Sequence, residues 1–335
     1  MQVLRKLLFP ISLVYAMVVF FRNKLYDVRV FSSKKFKTRT ICVGNLSVGG
    51  TGKTPMIEVL VRQLRQEYKI AVLSRGYKRK SKGFVLANSS TTVQELGDEP
   101  YQLKSKFPLV EVAVDANRRD GIVQLETKVQ PDVILLDDAY QHRRVKPGFS
   151  ILLTAYDQLY VDDCYLPTGN LRDSKAAAKR AQLIVVTKCP ENLGASAQSR
   201  LVDRLHPEEH QKVVFSFLSY EPILKGGASP LALTDLKNRK VTLVTGIANP
   251  APLVDYLEKE GLSFEHLKFG DHHFFTAKEL ELLKQKDFIL TTEKDYVRLK
   301  NEIPEMYYVE ISHRFLGEGQ EILHAELKDF MTRNS

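Results

Sequence analysis

Tryptophan is missing from the 335 residues, cysteine occurs only as Cys42, Cys164 and Cys189, and no uncharged apolar stretch reaches the length of a membrane-crossing helix. Each shortage closes off a class. Three cysteines without a C-x-x-C pair supply neither a disulfide framework nor a thiolate zinc site, and they suit a reducing cytoplasm. With 44% hydrophobic and 27% charged residues the chain is neither disordered nor collagen-like, and its length suggests two domains. No nucleic-acid partner is expected, because Trp platforms are absent and the positive charge is not spread over a folded face. No obligate protein partner is implied either.

The formal charge of +9 is unevenly placed. Residues 1–40 hold nine basic side chains (Arg5, Lys6, Arg22, Lys24, Arg29, Lys34, Lys35, Lys37, Arg39) against the single acid Asp27. Between the first basic pairs lies the uncharged Leu7 to Phe21, which as a helix reaches roughly 22 Å, short of a ~30 Å hydrocarbon core. We read residues 1–40 as an arm that lies on an anionic membrane surface, its flanking cations each contributing about 1 kcal/mol. A helix buried against the body is the ordinary alternative. A cleaved signal peptide fits less well, since no A-x-A site follows and the next stretch is strongly basic.

From residue 40 onward, strand-length apolar runs alternate with helical patterns. Strands are predicted at Thr40 to Val43, Ile70 to Leu73, Leu109 to Val112, Val133 to Leu136, Ile151 to Thr154 and Leu183 to Thr187. Runs apolar throughout indicate a parallel sheet covered on both faces, hence an α/β domain over 41–220. A shorter series follows after Val213 to Ser219: strand Val241 to Thr245, helix Pro252 to Glu260, strand Phe264 to Phe269, helix Ala277 to Lys284 and strand Phe288 to Leu290. One strand, Tyr307 to Ile311, then precedes a closing helix from about Glu318 to Thr332. The smaller α/β domain is placed at 221–312, and residues 318–335 follow it.

The first strand runs into Gly44-Asn45-Leu46-Ser47-Val48-Gly49-Gly50-Thr51-Gly52-Lys53-Thr54, and a helix opens with Pro55. Glycines at 49, 50 and 52 let backbone N–H groups face an anion at a helix N-terminus. This is a phosphate loop: Ser47 to Thr54 cradle nucleotide phosphates, Lys53 holds β/γ-oxygens and Thr54 ligates Mg²⁺. Ser47 stands where the general pattern wants glycine. Asp137 or Asp138, at the end of the buried run Val133 to Leu136, supplies the metal-side carboxylate. Thr187-Lys188-Cys189-Pro190 lacks the Asp that would read guanine, which favours ATP. A membrane-bound ATPase switch would need a second Lys at position 48, where this chain has Val48.

Eight ordered segments are similar to the motifs of the tetraacyldisaccharide 4′-kinase family. They begin at Gly44 to Pro55, Ser74-Arg75-Gly76-Tyr77, Gly97-Asp98-Glu99-Pro100 and Asp137-Asp138-Ala139-Tyr140-Gln141-His142. They continue with Leu166-Pro167-Thr168-Gly169-Asn170-Leu171-Arg172, Thr245 to Pro250, Asp271-His272-His273 and Thr292-Glu293-Lys294-Asp295. The resemblance implies transfer of the ATP γ-phosphate to the 4′-hydroxyl of a disaccharide 1-phosphate, a lipid A precursor, at the cytoplasmic face of the bacterial inner membrane. It further implies a phosphate-loop domain and a smaller domain joined by a two-stranded linker, made here near Val213 and Tyr307, with the last helix returning to the first domain. On the same ground Asp98 is the expected base, His272 its partner from the second domain, and Arg172 a stabiliser of transferring charge. Asp173 stands where the family usually has Glu and is expected near Mg²⁺. Arg75, Tyr77, Arg118 and Gln141 are expected to meet the sugar and its phosphate. Taken alone, Gly97 to Pro100 would be only a turn and a helix cap. His206 and His210 have no third ligand nearby for zinc.

Overall fold

A computed structural model describes residues 2–303 and 305–333; Met1 of the expected arm and Asn334 and Ser335 of the closing segment lie outside the described residues. In chain order the strands are β1 (Arg39–Asn45), β2 (Ile70–Ser74), β3 (Val85–Leu86), β4 (Glu111–Val114), β5 (Val133–Asp137), β6 (Phe149–Ala155), β7 (Leu183–Thr187) and β8 (Lys212–Tyr220). A short pair follows, β9 (Ile223–Leu224) and β10 (Leu231–Ala232), then β11 (Val241–Thr245), β12 (Phe264–Lys268), β13 (Phe288–Thr292), β14 (Met306–Val309) and β15 (Ile311–Phe315). The α-helices are α1 (Gln2–Leu7), α2 (Phe9–Asp27), α3 (Lys53–Leu64), α4 (Val93–Leu96), α5 (Asp98–Lys106) and α6 (Arg118–Lys128). They continue as α7 (Ala195–Leu205), α8 (Ala251–Lys259), α9 (Ala277–Lys284), α10 (Glu293–Leu299) and α11 (Gly319–Thr332).

The larger sheet has the order β15-β8-β7-β6-β1-β5-β2-β4-β3, parallel from β8 to β4 with an antiparallel strand at each edge. Its strands are apolar at successive positions because both faces are covered. Ile41 and Val43 of β1 enter one core with Met56, Leu60 and Leu64 of α3 and with Leu323, Leu327 and Met331 of α11. Cys42 between them faces the other core, with Ile122 and Leu125 of α6 and Leu201 of α7. The chain crosses from β5 to β6 over β1, so the strand order reverses there. At such a switch point the crevice beyond the carboxyl ends of the strands is where ligands bind in this architecture. The smaller sheet, β12-β11-β13-β14, is parallel throughout and has a core on each face.

Two expectations need correction. Leu109, assigned to a strand, is 97% exposed, and β4 begins two residues later at Glu111. The run Tyr307 to Ile311 is not one strand: it divides at Glu310, β14 joining the smaller sheet and β15 the larger. Apolar pattern alone cannot mark such a division, because both halves are strand-like. The chain thus leaves the larger sheet at Tyr220 and re-enters it at Ile311, its direct partner in register.

Glu310, 3% exposed at this crossing, anchors a buried ionic cluster. Lys106 Nζ of α5 lies 2.6 Å from Glu58 Oε2, 3.0 Å from Glu293 Oε1 and 2.5 Å from Glu310 Oε1. Arg62 adds contacts to Glu310 at 2.7 Å and Glu58 at 3.2 Å, and Lys225 also pairs with Glu310. Burial and the neighbouring Glu58 charge push the Glu293 carboxyl up to about 7, against the pull of Lys106. Removing one partner of a buried ion pair costs about 3–5 kcal/mol, since the remaining charge is left uncompensated. Lys106→Met should therefore lower the free energy of urea unfolding at pH 7 by that order, and adding Glu293→Gln should recover part of the loss. Unchanged unfolding would show that Arg62 and Lys225 alone neutralise the three carboxylates.

Helix α2 packs inside out. Among its residues Ser12, Val19 and Asn23 are buried, whereas Leu13, Val14, Met17, Val18, Phe20 and Phe21 are each more than half exposed. Its polar residues fasten it to the body: Ser12 Oγ donates to Thr168 Oγ1 at 2.8 Å, Asn23 Nδ2 to Asp173 Oδ1 at 2.7 Å, and Arg22 to the Gln141 carbonyl.

Candidate active site

The loop between β1 and α3 owes its shape to glycine. Gly52 caps α3 in the left-handed region, φ 82°, where a side chain would be strained. A Cβ at Gly49 or Gly50 would meet nothing within 4 Å, so both backbones border open space. The first-turn N–H groups of α3 have no partner within the helix and face the same end. Beneath the loop runs the segment from Asp163 to Asp173: Val48 N–H donates to the Asn170 carbonyl at 2.8 Å and Ser47 Oγ to Asp163 Oδ2 at 3.0 Å. The Ser47 hydroxyl thus braces the loop where the general pattern has glycine.

Asp137 and Asp138 end β5 with different surroundings. Asp137 is buried and accepts from Ser74 Oγ at 3.0 Å; burial, then the Glu99 and Asp138 charges, push its carboxyl up to about 7. Asp138 is partly exposed and takes a left-handed φ of 45°. Its Oδ1 lies 3.9 Å from Lys53 Nζ, Arg172 forks onto both its oxygens, and these cations hold its carboxyl below the usual range despite burial. Arg172 also donates to Asn45 Oδ1, which ties the pair back to β1.

A second cluster forms where the smaller sheet meets α5. His272 Nδ1 lies 2.6 Å from Asp98 Oδ2, and Arg298 donates from Nε to Asp98 Oδ1 at 3.0 Å and from Nη2 to Oδ2 at 2.5 Å. Burial alone would raise the Asp98 pKa, but the bonds and charge of Arg298 and then His272 outweigh it and hold the carboxyl ionised. Lys294 Nζ stands 3.2 Å from His272 Nε2 and 3.8 Å from Glu99 Oε1. His272 itself has a left-handed φ of 60°, uncommon for a non-glycine residue. The exposed ring of Tyr77 lies 5.8 Å from the imidazole.

The other expected residues differ in their surroundings. Arg118 is 2% exposed; its Nη1 donates to the Asp115 carbonyl at 2.8 Å and its Nη2 to the Asp137 carbonyl at 3.2 Å, so it holds up the end of β5 instead of facing a substrate. Asp173 is wholly buried, accepting from Asn23, the Ser174 N–H and Arg180, and so anchors α2. Gln141 spends its amide on the Asn45 carbonyl at 2.6 Å. Arg75 is exposed. Sequence reasoning missed Arg298, which follows Asp295 by three residues and so shares its face of α10. Among the described residues no group of three His, Cys, Asp or Glu side chains could by itself hold a metal.

The family model for tetraacyldisaccharide-1-P 4′-kinase matches residues 4–331. The chain belongs to this family. A tetraacyldisaccharide 4′-kinase of Flavobacterium johnsoniae is 48% identical over 96% of this chain and 95% of its own length, and one of Phocaeicola vulgatus is 43% identical over 99% and 96%. The crystal structure of LpxK from Aquifex aeolicus in complex with ATP is similar with a TM-score of 0.81 and 29% identity, over 98% of this chain and 99% of that one. The family match therefore takes in both sheets, the phosphate loop, and the Asp98, His272 and Arg298 cluster.

If Asp98, His272 and Arg298 act as one unit, their losses should not add. Asp98→Ala and His272→Ala are each expected to lower kcat about 10²–10⁴-fold, the range for a general base. The double variant should be scarcely worse than the poorer single one. Steady-state kinetics giving the product of the two losses would contradict a shared role.

Proposed function

We propose that the chain transfers the γ-phosphate of ATP to the 4′-hydroxyl of a tetraacylated glucosamine disaccharide 1-phosphate, a step of lipid A biosynthesis. The observation that carries the reading is an ionised Asp98 held against His272 across the two sheets, in a chain of the 4′-kinase family. An alcohol is a poor nucleophile at neutral pH, so a carboxylate must take its proton as the new O–P bond forms. Asp98 is that base, and His272 with Arg298 orients it. Backbone N–H groups from Ser47 to Thr54 cradle the phosphates, while Lys53 and Arg172 stabilise the charge of the transferring group. The open space beside Gly49 and Gly50 suits a phosphate chain.

Magnesium fits the donor set: Asp137, pushed up by burial and by two neighbouring carboxylates, gains from a nearby divalent cation, and Asp138 and Thr54 lie at the same crevice. Mg²⁺ usually keeps several waters and takes one or two carboxylates besides phosphate oxygens, so a complete protein cage is not required. When bound, it would supply charge neutralisation to the nucleotide's phosphates.

Incubation with γ-labelled ATP and the disaccharide 1-phosphate lipid should put label in the lipid. Lys53→Ala should lower kcat by orders of magnitude in a folded protein. Label only in free phosphate would favour a membrane-bound ATPase without a lipid acceptor.

The chain reads as two units dividing near residue 220 (41–220 and 221–312), joined through β8 and β15, with α11 packed back in the first. Its N-terminal arm lies on the anionic cytoplasmic face of the inner membrane. The exposed apolar face of α2 supports this placement; among the described residues no helix is long and apolar enough to cross a membrane. Val14→Asp combined with Val18→Asp leaves the buried polar face of α2 alone. It should weaken sedimentation with phosphatidylglycerol vesicles about tenfold or more, given ~1.5–3 kcal/mol for burying each apolar side chain. Unaltered sedimentation would count against the arm.

A further inference from the structure

His313 lies in β15, the strand by which the chain returns from the smaller sheet, yet its ring reaches the phosphate loop. Nε2 is 2.9 Å from the Gly52 carbonyl oxygen and Nδ1 is 3.0 Å from Ser216 Oγ of β8. The side chain is 6% exposed, and Ser216 is fully buried. A carbonyl can only accept, so Nε2 carries the hydrogen and Nδ1 accepts from the serine hydroxyl. Burial keeps the ring neutral, with its pKa lowered to about 4. The contact is close-packed: a Cβ on Gly52 would fall 2.8 Å from Nε2. The Gly52 carbonyl also accepts the Met56 N–H at 3.1 Å, the first bond of α3, so both of its lone pairs are used.

Because a trans peptide points its C=O and N–H in opposite directions, fixing the Gly52 carbonyl fixes the Lys53 N–H as well. That N–H belongs to the first turn of α3, whose free donors face the anion site. We propose that His313, oriented by Ser216, is a positioning residue that holds the Gly52–Lys53 peptide of the phosphate loop in its phosphate-binding orientation. The strand that carries it pairs Ile311 with Tyr220 at the chain crossing, so the loop is braced by the same strand pair that joins the two sheets. A glutamine at 313 can still present an N–H to the carbonyl; a leucine fills similar space and cannot.

The inference rests on the reading of residues 47–54 as a nucleotide-phosphate loop, and its test separates the two. Binding of a non-hydrolysable ATP analogue is measured by calorimetry on the full chain for wild type, His313→Leu, His313→Gln and Ser216→Ala, with thermal melts alongside. KM for ATP and for the lipid acceptor is then taken for each. His313→Leu should weaken analogue binding and raise the KM for ATP about tenfold, the order of loss expected when one of the two hydrogen bonds on a buried carbonyl is removed. Lipid KM should stay within about twofold of wild type, since no acceptor contact changes. His313→Gln should recover most of the loss, and Ser216→Ala, a small volume change, should show a loss in the same direction. Unaltered analogue binding in folded His313→Leu, or a folded His313→Gln as poor as His313→Leu, would overturn the proposal. Should His313→Leu fail to melt cooperatively, Ser216→Ala decides: wild-type analogue binding in that variant rejects the orienting bond. Absence of analogue binding in wild type would reject the nucleotide loop itself.

Discussion

The carboxylate of Asp295, wholly buried at the start of α10, accepts on one oxygen from the Gly246 N–H at 2.8 Å and from Thr292 Oγ1 at 2.7 Å. Its other oxygen accepts from Arg298 Nη1 at 3.1 Å. Both oxygens are thereby engaged, which partly offsets the burial that raises its pKa. The consequence passes through Arg298. A guanidinium is planar and rigid, so once one edge is fixed by Asp295 the other edge must fork onto Asp98 in the same plane. A lysine at 298 would be a point charge on a flexible stem and could not transmit that orientation. Asp98 is thus aimed, through Arg298, by Asp295 of α10, and the strand–turn–helix motif at Thr245 to Pro250 enters the site through its Gly246 amide, without any side chain.

The same economy governs the N-terminal helix. An amphipathic helix on a soluble body buries its apolar stripe, but α2 does the reverse, offering Ser12, Tyr15, Arg22 and Asn23 to the loop from Thr168 to Asp173 and to Gln141. Polar attachment carries little hydrophobic stabilisation, so it must be satisfied bond by bond, and Asp173 is buried to provide one acceptor. The helix is therefore held beside the very segment that underlies the phosphate loop. In the proposed reaction this places a lipid-facing surface next to the site of chemistry.

Much of this was legible in the sequence because each strand of a doubly covered parallel sheet is an uninterrupted apolar run. Leu183–Thr187 and Val241–Thr245 fall where their residues predict, and so does the helix Ala277–Lys284. What the pattern could not show depends on contacts between distant segments. Glu310 divides one apolar run between two sheets, and nothing local distinguishes Val309 from Ile311 as strand formers. The resemblance sets Arg118 against the sugar and its phosphate, but two carbonyls at the sheet end hold it inside. The proximity of Asp98 and His272 came from resemblance, since residues 174 positions apart carry no sequence signal of contact. Arg298 and His313 carried even less: each is an ordinary member of a helix or strand whose function depends on what faces it.

Helix α5 meets elements of the smaller sheet at both of its ends. The N-terminus of α5 carries Asp98, bound to His272 and Arg298, and its C-terminus carries Lys106, bound to Glu293 and Glu310. At ~1.5 Å per residue the two ends are about 12 Å apart. Glu310 sits at the chain crossing itself, where β14 gives way to β15, whereas Asp98 is a helix length away from it. For any rigid rotation of the smaller sheet about that crossing, displacement grows with distance from the pivot. A rotation that separates His272 from Asp98 by several ångströms therefore stretches the Lys106 contacts far less. The buried ions at the crossing, Lys106 with Glu58 and Glu310, are therefore placed to hold the two sheets in register.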